Sequence, residues 1–248
     1  MSKSAFAGKL ILLGLGCLVM PGCKKASQES AGGSPPPEVR RSIEAVADEY
    51  LAEMLERYPE TATYYSLPGA RHDNLMDNSP DALAVWQSKE DAWLRELDEI
   101  GAPAEIGSRD WVTYGILHEQ LESAVGIRIC RNQLWRASST TAWHTTLPFV
   151  FDLQPLESSD QRNQALQRLG KVARYVDTEI SNLREGLKLG FSAPRVTAVG
   201  VPAEVRALLK DTNPFLGMIR RSDDADFASA VRRIFNDEVA PAVERFAQ

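Results

Sequence analysis

From Glu38 onward, apolar side chains return every three or four residues, and no other feature constrains the fold as much. Ile43, Val46, Ala47, Tyr50, Leu51, Met54, Leu55 and Tyr58 form one stripe, the signature of a helix with a single buried face. Pro59 ends it. Ser79-Pro80 then offers an N-cap with proline at the first helical position, and Leu83, Trp86, Trp93, Leu97 and Ile100 carry a second helix to Gly101. Ser108 caps a third, with Trp111, Tyr114, Leu117, His118, Leu121 and Val125 on one side. From Ser159 a long helix carries Ala165, Leu166, Leu169, Val172, Val176, Ile180, Leu183 and Leu187 and stops at Gly190. Pro194 and Pro202 punctuate another through Leu209. Asp223 or Asp224 caps the last, which bears Phe227, Val231, Ile234, Phe235, Val239 and Phe246.

Residues 130–156 break this rhythm. Aromatics, Ser/Thr and Pro occur there without helical spacing, so an extended or irregular segment with a short strand pair is expected. The predicted fold is all-α, with long antiparallel helices in layers and one irregular aromatic-rich segment near 130–156.

The start of the chain reads as an address. Lys3 and Lys9 precede the apolar run Leu10 to Met20, too short to span a bilayer and suited to a secretory signal. Met20-Pro21-Gly22-Cys23 resembles a lipoprotein cleavage box, with Cys23 as the lipid-bearing residue; Cys17 is a weaker alternative, and a plain signal or uncleaved anchor is the simpler one. The expected division is a signal peptide at 1–22, a tether at 23–37 rich in Ser, Gly and Pro, and a helical domain at 38–248. With no aspartate after Cys23, the pattern resembles an outer-membrane address on the periplasmic face of the envelope. The membrane, through the lipid, is then the first partner. Cys130 is left as the body's lone cysteine and is expected to be a buried small hydrophobe.

Composition removes several classes. A hydrophobic fraction of 44% argues against disorder, and three cysteines cannot make a disulfide framework. Four lysines and one glutamate precede residue 38, so the body carries 24 basic against 33 acidic residues. That balance disfavours nucleic acid, whose binding draws on excess positive charge.

Chemistry-bearing motifs are sparse. His118-Glu119 opens an H-E-x-x-H pattern but has Glu122 in place of the second histidine, so a half-buried histidine beside solvated carboxylates is expected. His72-Asp73 sits in a polar loop and is expected at the surface. Trp143 and His144 fall in the irregular segment, where they either line a groove or plug the bundle. Ser138 to Thr141 read as loop polarity, and Arg220-Arg221 and Arg232-Arg233 as solvated faces. No nucleophile elbow, P-loop, dinucleotide fingerprint or paired metal cysteines occur. No catalytic or metal residue is assigned.

The stretch YPETATYYSLPG at 58–69 and the segment 73–100 resemble the opening of the bacterial domain-of-unknown-function family 885. ISNLREGLKLGFSAPRVTAVGV at 180–201, with LPFVF at 147–151 before it, resembles that family's long helix, glycine turn and following helix. The resemblance implies a helical body around a cleft, similar to zinc metallopeptidases in which zinc polarises a peptide carbonyl and a glutamate activates water. It makes Arg195 of the "PR-V" segment a cleft-lining candidate beside Trp143 and His144. Family members are more than twice this length, with an H-E-x-x-x-H signature in the later half. Zinc is thus expected of a full-length member and no cofactor of this chain. The helical pattern still runs at Phe246, so an incomplete domain is expected, inactive alone and taking a peptide substrate only when joined by a separately encoded C-terminal half. The competing expectation is a non-enzymatic helical lipoprotein that binds or scaffolds in the envelope.

Overall fold

The computed structural model describes residues 41–248, and the signal, Cys23 and the rest of the tether lie outside them along with the first residues of the helical domain. Among the described residues there is no strand; the fold is all-α. The first layer comprises α1 (Ile43–Arg57), α3 (Pro80–Ile100) and α4 (Arg109–Ile127), with the short α2 (Pro59–Tyr64) following α1. Ser42, Ser79 and Ser108 each cap a helix by accepting a bond from a backbone N–H in its first turn. Helix α3 runs antiparallel to both α1 and α4. Arg41 reaches Glu96, Lys89 reaches Glu53, and Arg128 at the end of α4 reaches Glu90 and Asp91 in the middle of α3. Their shared core is Val46, Trp86, Trp93, Leu97, Leu117 and Leu121. Tyr50 and Tyr58 meet the two tryptophans edge-on, at 5.4 Å from Trp93 and 5.7 Å from Trp86.

The second layer comprises α5 (Trp143–Asp152), α6 (Ser159–Leu169), α7 (Val172–Lys188), α8 (Arg195–Ala198), α9 (Val201–Ala207), α10 (Pro214–Gly217), α11 (Ala225–Ile234) and α12 (Ala240–Phe246). Its larger core gathers Phe151, Leu169, Val172, Val176, Phe215 and Val231. Two features explain how α7 ends and what it packs on. Gly190 adopts φ 83°, and the N–H groups of Gly190 and Phe191 bond back to Leu187 and Gly186, a Schellman stop. Gly186 faces the turn at 132–134 so closely that an added Cβ would sit 1.8 Å from the carbonyl oxygen of Leu134. Only a glycine lets that turn seat on α7.

Several expectations need correction. The segment 130–156 contains no strand pair: tight turns at 128–130 and 132–134 lead into an irregular stretch, and 143–152 is helical. Trp143, His144, Leu147, Pro148, Val150 and Phe151 are all buried, and a helix covered around most of its circumference shows no single stripe. The long helix expected from Ser159 is two, broken at Gly170 and Lys171, and that expected through Leu209 is α8 and α9, broken near Gly200. Cys130 is exposed, because it lies on the outer side of the turn after α4. The last helix is continuous but widens to i→i+5 bonding at Phe235–Val239. Pro241, which lacks an N–H and would crowd the preceding turn, is the second residue after it. Among the described residues no helix is long and apolar enough to cross a membrane.

Candidate functional site

A cleft of about 410 Å³ opens between the first layer and α5 and α7. Trp86 and Glu90 come from α3, Arg128 from the end of α4, Trp143 from α5, and Tyr175 and Glu179 from α7. A second depression of about 550 Å³ shares Arg57, Asn78, Trp86 and Tyr175 with it. The wall is polar in an unusual way for a helical interior. Glu179 accepts a bond from the Asn78 amide at 2.8 Å, and the same amide donates to the Tyr175 carbonyl. Burial pushes the Glu179 carboxyl above its usual range, against the opposing pull of Asn78 and Arg136. Burial likewise pushes the Tyr175 phenol upward. Asn182 closes the arrangement by donating to the Asn78 carbonyl at 2.9 Å.

Three donor atoms of the cleft residues are buried without a partner. Arg128 is satisfied by Glu90, Asp91 and the Gln87 carbonyl, although its Nε is buried without a partner. Arg57 donates to the Asp77 carbonyl and lies over the Tyr58 ring, and its Nε is also orphaned. Trp143 is 3% exposed, and its indole N–H has no partner.

The sequence-derived candidates separate. Trp143 lines the cleft; His144 and Arg195 are not among its lining residues. His144 turns into the second layer, where Nε2 meets Glu204 Oε2 at 3.0 Å and Nδ1 is buried without a partner. Bonds from His144 and from Ser139 hold the Glu204 carboxyl below its usual range. The hydroxyl of Ser139 therefore serves the carboxylate and not the imidazole, which is the wrong order for a nucleophile activated by a base. Arg195 is exposed at the first residue of α8.

His118 is half-buried, stacked on Tyr114, with Nε2 facing Asp98 at 2.9 Å and Nδ1 facing Glu122 at 3.4 Å. Both carboxylates are mostly solvated, and among the described residues no group of three or more His, Cys, Asp or Glu is placed to hold a metal. These residues do not fit a zinc site.

A different cluster was not singled out from the sequence. Arg168 is fully buried and donates to Thr63 Oγ1, Gln154 Oε1 and the Asn74 carbonyl. Thr63 Oγ1 meets His72 Nδ1 at 2.8 Å, and Gln164 and Gln154 engage the His72 backbone on either side. His72 is buried, not at the surface as expected, because its loop is pinned through its own backbone. Glu60 joins by accepting from the Met76 N–H, and burial pushes its carboxyl up. Arg168 could have been found: it sits on the apolar stripe between Ala165, Leu169 and Val172.

Thr63 and Glu60 belong to the YPETAT stretch, and Asn182 and Gly186 to NLREG. The motif residues are therefore those that pin the loop and shape the cleft. A profile of the family described as "Bacterial protein of unknown function (DUF885)" matches residues 59–248. The chain belongs to the DUF885 family. None of the curated proteins compared with it matches. In this DUF885 protein, the matched span covers α2 to α12 and leaves α1 before it.

Proposed function

We propose that this DUF885 protein is a lipid-anchored protein of the bacterial periplasm whose helical body supplies the peptide groove of a zinc-peptidase-like hydrolase. The groove is the cleft between the two layers. Hydrolytic chemistry belongs to metal-bearing residues outside the described body, and that body alone binds without cleaving. The observation that carries this reading is a cleft between the layers with aromatic walls, an exposed arginine without a side-chain partner, and a buried carboxyl held by Asn78. Cys23 carries the lipid and directs the chain to the outer membrane.

Two measurements test it. Incorporation of labelled palmitate in a bacterial host is expected for the native chain and lost in Cys23→Ala; labelling that persists would remove the anchor. Purified in detergent, the full chain should bind short peptides without turnover. It should show zinc-dependent hydrolysis only when it co-purifies with a chain bearing an H-E-x-x-x-H segment. A second reading, a non-enzymatic binding module, is favoured by the Ser139–Glu204–His144 order, which activates no nucleophile. A native chain that always purifies alone and never hydrolyses peptides favours that module.

A further inference from the structure

Among the basic side chains of the cleft, one is unemployed. Arg128 is neutralised by two carboxylates, Arg57 is held by a carbonyl and a phenol ring, and Arg131 packs over the Phe191 ring at 5.7 Å. Arg136 lines the same cleft with no ion pair and no side-chain hydrogen bond, while acting on Glu179 and Tyr175 through its field. Its position is built. Arg131 adopts φ 44°, the 132–134 turn seats against Gly186, and the Arg136 N–H closes onto the Asn132 carbonyl at 3.0 Å.

A lone guanidinium, in a cleft whose Glu179 carboxyl is already held by the Asn78 amide, selects a ligand with one negative charge and two acceptor oxygens. We propose that the cleft takes the C-terminal carboxylate of a bound peptide, with Arg136 as its ion partner. This rests on the cleft being the peptide groove and adds the direction in which the peptide lies: its C-terminal end sits at the 131–136 turn. Arg136 is a binding and specificity residue, and its exposure makes its replacement harmless to the fold.

The test uses the full chain in detergent, with acetyl-trialanine as the free acid and as the C-terminal amide, measured by titration calorimetry at low ionic strength. The acid should bind about tenfold more tightly than the amide, the scale of one charge-assisted bond. Arg136→Gln should abolish that preference while leaving amide affinity and the melting temperature unchanged, and Arg136→Lys should restore part of it. Equal binding of acid and amide to the native chain overturns the carboxylate assignment and leaves the groove standing. An acid preference that survives Arg136→Gln also overturns the assignment. Failure of both peptides to bind at millimolar concentration overturns the groove as well.

Discussion

At the scale of single residues, the proton count around His72 is set by its neighbours. Arg168 donates to Thr63 Oγ1, which leaves the hydroxyl's own proton free to donate to an unprotonated His72 Nδ1. Burial lowers the His72 pKa from 6.5, and Arg168 lowers it further against the smaller opposing pull of Asp73. A histidine with a depressed folded pKa binds fewer protons than in the unfolded chain, so stability rises with pH. Its contribution is complete above about 6.5 and is lost as pH falls from there through the lowered folded value. Chemical denaturation at pH 7.5 and pH 5 should show that loss in the native chain. In His72→Asn, whose amide oxygen accepts the same bond, the histidine part of the loss should vanish; an identical pH slope in both would refute the protonation account. The Arg168 guanidinium is itself pushed down to about 10 by burial. Arg168 stands out in the sequence as a charge on an apolar stripe, whereas a histidine in a polar loop, as His72 is, has a commoner explanation at the surface.

At the scale of elements, the caps were legible and the buried helix was not. Ser79, Ser108, Gly190 and Asp224 do what their positions in the sequence imply, since capping depends on one side chain or one backbone angle and its nearest turn. Helix α5 escaped because its spacing carries no contrast, and its start at Ala142 has no side-chain cap. Gly186 shows how context reverses a local preference. In an isolated helix, alanine would stabilise this position by about 1 kcal/mol. Here its methyl carbon would meet the backbone of Leu134, with the carbonyl carbon at 2.8 Å as well as the oxygen at 1.8 Å, and backbone must move. Gly186→Ala should therefore destabilise the protein by about 3 kcal/mol, an overpacking cost at the upper end. The measurement is the denaturation midpoint, and a stabilised variant would show that the turn shifts freely. The sequence displayed the glycine plainly, but the partner that requires it lies some fifty residues away.

At the scale of the whole molecule, the two layers are unequal. The first holds a small core of Val46, Leu97, Leu117, Leu121 and two tryptophans, whereas the second joins α5, α6, α7 and α9 to α12 around a far larger one. The cleft lies between them, bridged by Asn78, whose side chain and carbonyl both bond to α7. Amides of α1, α3 and α4 are thus expected to exchange with solvent through openings of lower free energy than those of α7 and α12. Native-state hydrogen exchange reads this directly, and equal protection in both layers would mean that the bridges, not the cores, set the stability. The layering was visible from the periodic stripes; which stripes share a core was not, because that is decided by contacts distant in sequence.

The wide turn at Phe235–Val239 has a consequence for geometry. Phe227, Val231, Phe235, Val239 and Val243 recur every four residues, so in a regular helix the row would drift by roughly 40° at each step. The extra residue in the wide turn absorbs part of that drift and resets the azimuth of α12. Upstream of it α11 leans on α6, and downstream α12 leans on α7 and α9. One continuous rod thereby serves as a corner post, facing two directions along its length, and its far end presents Phe246 edge-on to Trp143 at 5.2 Å. The change of helical pitch at Phe235–Val239 thereby sets the azimuth from which Phe246 meets the cleft's indole.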